Sequence, residues 1–193
     1  MGALPGYVRV QAALAAERER QAEKVARVHR AEQSCFECRY NVCYVRYRNF
    51  RKMGRLLPHE QVREMGQLHV LDTYDEVAEF VQLHPTIFIS HQWLGYRAPD
   101  PDGVHFPAIC AAVEKVCADF ALNLDDTYVW VDYCSIPQRN ASLQIASISS
   151  LPVYASMSRY FVIIAPCTLH YDSHAVCNAE TYQRRGWCRL EQV

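Results

Sequence analysis

Thr86-Ile87-Phe88-Ile89-Ser90-His91 is the stretch that decides the fold. It follows Pro85, is rich in β-branched and aromatic residues, and stays apolar without alternating. A strand that is apolar on both sides of its pleat is buried on both faces, as in a parallel sheet covered by helices. Two further runs repeat the pattern, Tyr128-Val129-Trp130-Val131-Asp132 and Tyr160-Phe161-Val162-Ile163-Ile164-Ala165. Residues 106–120 and 143–158, which separate the three runs, are helix-friendly. Strand–helix–strand–helix–strand spacing is the pattern of a doubly wound α/β fold. The expectation is therefore an α/β domain over residues 86–193, built as a flavodoxin-like parallel sheet with helices on both faces. A last helical stretch begins near Ala179 and meets no Gly or Pro before Val193. Three strands make a thin sheet, so further strands are expected beyond Val193.

Upstream, residues 11–57 are dominated by Ala, Glu, Arg, Gln and Lys, with no Pro and one Gly, Gly54. Phe36, Tyr40, Cys43, Tyr47, Phe50 and Leu57 recur at helical spacing. This predicts one long helix or two in succession, packed on the domain or, as a coiled coil, on a second copy. Residues 59–66 and 75–83 read as short helices, the second capped by Asp72 or Thr73. Residues 1–85 are thus expected to be a mainly helical arm with connecting helices.

Of the 193 residues, half are apolar and about a fifth are charged, as in an ordinary soluble protein. No run of eighteen apolar residues exists, which argues against a membrane span. Met1 is not followed by a basic-then-apolar leader. Nine cysteines, an odd number, fall partly inside apolar runs and read as reduced thiols. The expected location is cytoplasmic. Residues 1–57 carry twelve Lys/Arg against five Asp/Glu, and the remainder carries eight against sixteen. A basic arm on an acidic body reads first as a docking or solvated face; nucleic acid is the weaker reading.

Ligands of open parallel sheets bind beyond the carboxyl ends of the strands. That rule selects Ser90-His91-Gln92-Trp93 with the Pro-rich loop that follows, then the segment from Asp132 to Gln138, then the stretch after Ala165 that ends in Trp187 and Glu191. Trp187 and Glu191 are four apart, so on a helix they share a face. An indole beside a carboxylate suits a ribosyl ligand; it equally suits a Trp packing a helix to the sheet and a Glu bridging to an Arg. His91 reads as an acid/base or as a hydrogen-bonded loop residue. Asp132 reads as a hydroxyl-binding group or as a cap. Arg97, Arg184 and Arg185 could each meet a phosphate. Cys134 and Cys188 have no adjacent base that would make either a nucleophile. Cys35, Cys38 and Cys43 fall short of a zinc pattern, so no metal is expected. No Gly-rich phosphate loop and no Gly-x-Ser-x-Gly elbow is present.

With these residues in view, residues 86–193 resemble the TIR (Toll/interleukin receptor) and HET (heterokaryon incompatibility) superfamily. Ile87-Phe-Ile-Ser-His91 is similar to the opening TIR strand, and Tyr128-Val-Trp-Val-Asp-Tyr-Cys-Ser-Ile-Pro-Gln138 to a HET motif. Ile148-Ser-Ser-Leu-Pro-Val-Tyr154-Ala155, followed by Tyr160-Phe-Val-Ile-Ile164, resembles the helix and third strand of both families. Arg185-Gly-Trp187-Cys188-Arg-Leu-Glu191 resembles the Trp-Cys-x-x-Glu of plant-type TIR domains and the Arg-x-Trp-x-x-x-Glu of HET domains. The resemblance implies signalling or defence, with NAD+ or a related nucleotide as substrate and no separate cofactor. It implies cleavage of the nicotinamide–ribose bond, with Glu191 catalytic. Ser90, His91, Trp93, Arg97, Asp132 and Trp187 would then bind substrate. Residues 135–142 would be a loop that gates the pocket. Self-association through the α/β domain and the N-terminal helix would control activity. The other reading is an adaptor that assembles without turnover.

Overall fold

The computed structural model describes residues 39–184. In chain order these form β1 (Val42–Arg46), α1 (Tyr47–Lys52), α2 (His59–Glu64), β2 (Leu68–Leu71), α3 (Tyr74–Leu83) and β3 (Thr86–His91). Then follow α4 (His105–Asp119), a 3-10 turn (Leu124–Asp126), β4 (Tyr128–Val131), α5 (Asp132–Ser135), α6 (Ala141–Ser149), α7 (Leu151–Met157) and β5 (Tyr160–Ile164). A hairpin of β6 (Thr168–Leu169) and β7 (Val176–Cys177) leads to α8 (Ala179–Arg184).

Five strands form one sheet in the order β2-β1-β4-β3-β5. Strand β3 pairs parallel with both β4 and β5, in the register Phe88–Trp130 and Phe88–Phe161. The three apolar runs are therefore parallel strands, as expected, but β5 lies at the edge with Phe161 and Ile163 exposed, so the expectation that it is buried on both faces is corrected. Strand β1 runs antiparallel to β2 and β4, so the sheet is mixed rather than all parallel.

The helical reading of residues 42–46 is corrected. Val42, Tyr44 and Val45 are apolar between the members of the helical stripe, and β1 buries all four of its first residues because it lies between two strands. The spacing of Tyr40, Cys43 and Tyr47 matches a helix only by coincidence; Tyr47 and Phe50 do lie on α1 and are buried. Strand β2, also inside the expected helical arm, extends the sheet at its edge. The 143–158 helix is two, because α6 ends at Ser149 and Pro152, which has no N–H to donate, stands in the first turn of α7. Helix α3 begins as its sequence requires: Thr73 accepts from the Glu76 N–H, and Glu76 reaches back to the cap.

The pleat sorts the core into two clusters. Ile87, Ile89, Val129 and Val131 pack with Phe106, Ile109 and Val113 of α4 and with Phe50 and Val62. Phe88, Trp130 and Tyr44 pack with Val77 and Phe80 of α3 and with Leu151 and Tyr154 of α7. Helices therefore cover both faces, with α4 on one and α3 and α7 on the other. No described helix is long and apolar enough to cross a membrane.

Candidate functional site

The chain leaves β3 for α4 on one face and returns in β4. It leaves β4 through α7 on the opposite face and returns in β5, on the far side of β3. The connections after β3 and β4 thus diverge to opposite faces. Beyond the carboxyl ends of these two strands, where open parallel sheets take their ligands, lies the candidate crevice. His91 ends β3 and Asp132 follows β4, so both stand at its mouth.

Asp132 is held from two directions. Its Oδ2 accepts the Trp93 indole N–H at 2.6 Å, and its Oδ1 accepts the Tyr133 backbone N–H at 2.6 Å. The Trp93 and Tyr133 rings meet edge to face, 5.6 Å apart. The Asp132 side chain keeps 25% exposure, and Trp93 and Tyr133 are also partly exposed, so all three can touch a ligand. His91 lies behind Asp132 with a side chain of 0% exposure, its Nε2 3.7 Å from Asp132 Oδ1. That is beyond hydrogen-bond distance, and neither ring nitrogen of His91 has a hydrogen-bond partner. Buried polar atoms are normally paired, so His91 is a costly residue at this position.

A second imidazole supports the first. His105, fully buried at the start of α4, packs its ring 5.1 Å from that of His91. Its Nε2–H donates to the Gln92 carbonyl at 3.0 Å. Burial, followed by repulsion from His91, pulls the His105 pKa down to about 4. His105 is therefore neutral near pH 7.

Helix α8 is fastened to the same end of β3. The Ser90 and Tyr182 hydroxyls are 2.6 Å apart and buried, and the Thr181 hydroxyl lies 3.1 Å from Gln92 Oε1. Asn178 caps α8 by accepting from the Thr181 N–H. The rim of β3 is thereby tied both to the crevice and to the helix that precedes Trp187 in sequence.

Of the residues singled out from sequence, the structure brings His91, Trp93 and Asp132 together at the crevice. Ser90 lies beneath the rim, engaged with Tyr182. Arg97 is exposed on the loop after β3, and Arg184 pairs with Glu180 on the surface of α8. Cys134 is fully buried, which pushes its thiol up to about 12, so it is no nucleophile at neutral pH. Residues 135–142 are pinned at two backbone positions, where Glu60 Oε1 accepts the Gln138 and Arg139 N–H groups at 2.8 Å. Glu191, Trp187, Arg185, Cys188, Cys35 and Cys38 lie outside the described residues. The stretches selected from sequence included Gln92 and Tyr133 without giving either a role, and they gave none to His105 or Tyr182, which have no local signal.

Among the described residues no group of three or more His, Cys, Asp or Glu side chains is arranged to hold a metal ion. Comparison of the chain with models of known protein families, with characterised proteins and with solved structures found no match.

Proposed function

We propose that this chain is a TIR/HET-type module with a flavodoxin-like sheet, that it takes NAD+ as substrate, and that it hydrolyses the nicotinamide–ribose bond with Glu191. The observation that carries the reading is the Trp93–Asp132 bond between the carboxyl ends of β3 and β4. It fixes an aromatic wall and a partly exposed carboxylate where an open parallel sheet takes its ligand. The attachment of α8 to Ser90 and Gln92 supports it, because Trp187 and Glu191 follow that helix closely in sequence.

In the reaction the C–N bond to the ribose breaks and nicotinamide leaves with the bonding pair. The Glu191 carboxylate stabilises the cation-like ribosyl carbon, as carboxylates do in glycoside hydrolysis. Water adds to that carbon and releases a proton, giving ADP-ribose. Asp132 would hold a ribose hydroxyl, and Trp93 would flank the sugar or base. The experiment is nicotinamide release from NAD+ by the concentrated full chain, beside Glu191→Gln. A loss of about a hundredfold or more in the variant is expected for a group acting in the transition state. Equal background rates in both proteins end the enzyme reading.

An adaptor that acts by self-association is the second reading. It is favoured by β5, the last strand of the sheet, where Phe161 and Ile163 are 36% and 46% exposed. An apolar edge strand is a template for pairing with another chain. A chain that stays monomeric by sedimentation at high concentration, with Ile163→Lys indistinguishable from it, would remove this reading.

A further inference from the structure

Tyr133 belongs to two places at once. It meets Trp93 in the crevice, and it lines a neighbouring cleft of about 370 Å³. The cleft lies between the turn that joins α1 to α2 and the loop after β3. Arg55, Leu57, Pro58 and Gln61 form one wall and Pro101 stands in the other. The second wall is built tightly. A Cβ on Gly95 would lie 2.8 Å from Pro101 Cγ and 3.0 Å from the Ala98 carbonyl oxygen. The Leu94 N–H donates to the Pro99 carbonyl, and the Leu94 carbonyl accepts the Tyr171 N–H.

The charges sort unevenly. Asp100 lines the cleft, but its two oxygens accept the His105 and Phe106 N–H groups at 2.9 and 2.8 Å. Its charge is directed at the start of α4. Nearby, Glu60 Oε1 is committed to the Gln138 and Arg139 N–H groups. Arg46, Arg51, Lys115 and Arg184 stand in ion pairs among the described residues, and Arg55 stands in none of these. The cleft therefore offers one uncommitted guanidinium, one amide and an aromatic ring that it shares with the adjoining crevice.

We propose that this cleft is the phosphate subsite of the crevice: Arg55 pairs with a phosphate of a small nucleotide, Gln61 donates to it, and Tyr133 lies against the sugar or base that carries it. Guanidinium groups bind phosphate through two parallel hydrogen bonds, which suits a single anchoring Arg. The proposal rests on the reading of the crevice as a nucleotide site, and it adds Arg55 and Gln61, which the sequence did not mark.

The test is calorimetric titration of the full chain with AMP, adenosine and inorganic phosphate as separate probes. AMP is expected to bind about tenfold or more tightly than adenosine, the usual scale of a charge-assisted hydrogen bond. Inorganic phosphate should compete with AMP. Arg55→Gln should erase the advantage of AMP and leave adenosine unchanged, while Lys115→Gln, on the surface of α4, should retain it. Equal binding of AMP and adenosine, or full AMP affinity in Arg55→Gln, would overturn the subsite. The hydrolase reading fails separately. A chain that binds AMP through Arg55 yet releases no nicotinamide keeps the subsite and loses the activity; one that cleaves NAD+ with Arg55→Gln unaffected loses the subsite alone.

Discussion

The indole N–H of Trp93 donates to Asp132 Oδ2 at 2.6 Å, joining the loop after β3 to the first residue after β4. One hydrogen bond thus ties together the ends of two parallel strands whose following helices lie on opposite faces. Replacing Trp93 with Phe keeps a ring and removes the donor. The variant is expected to lose about 1–3 kcal/mol of stability, the cost of withdrawing a partner from a charged acceptor. Urea unfolding of the two proteins measures it; an unchanged midpoint would show that the bond contributes nothing.

His105 sets a pH dependence of definite sign. Burial holds its pKa at about 4, against 6.5 when unfolded. Between those values the unfolded chain binds the extra proton, so stability falls as pH falls. The full effect is roughly 3 kcal/mol, present above pH 6.5 and lost as pH drops toward 4. Burial also lowers the pKa values of His59 and His69, which act in the same direction. The His105→Gln protein should therefore lose less stability than wild type between pH 7 and pH 4.5. Parallel curves for the two proteins would count against a neutral His105.

Cys134 and Cys167 make an internal comparison. The first is fully buried with its thiol pushed up to about 12, and the second is exposed. Native protein treated briefly with iodoacetamide at pH 8 should carry label on Cys167 and none on Cys134. Mass spectrometry of the digested protein reads the result, and equal labelling would contradict the packing around α5.

The centre of this fold is legible in the sequence because Ile87, Ile89, Val129 and Val131 need one covering layer and Phe88 and Trp130 need another. Short, β-branched and continuously apolar, these runs fit strands buried on both faces. Strand β1 was hidden because Tyr40, Cys43, Tyr47 and Phe50 satisfy a helical period while the chain changes from strand to helix at Arg46. Half of the site follows from strand ends alone, which give His91, Trp93 and Asp132. The other half depends on which loops return to the same place. Nothing local to Arg55 or Gln61 says that they will line one cleft with Tyr133, and nothing local to His105 says that its ring will meet that of His91 edge to face.

Gly95 tests how firmly the loop after β3 is built. A methyl group there would press on Pro101 and on the Ala98 carbonyl oxygen. Gly95→Ala is expected to cost about 1–3 kcal/mol, as overpacking does, and to weaken AMP binding by moving Pro101. A variant with wild-type melting temperature and AMP affinity would show that the wall yields freely.

The most direct measurement is the indole N–H spectrum of the ¹⁵N-labelled chain during titration with NAD+. The protein has three Trp residues, and Trp93→Phe and Trp130→Phe assign the signals. Trp130 is buried in the sheet, 1% exposed. Ligand in the crevice should shift the Trp93 signal in a saturable way and leave the Trp130 signal in place. A Trp93 signal that stays fixed up to millimolar NAD+ would contradict a nucleotide site between β3 and β4.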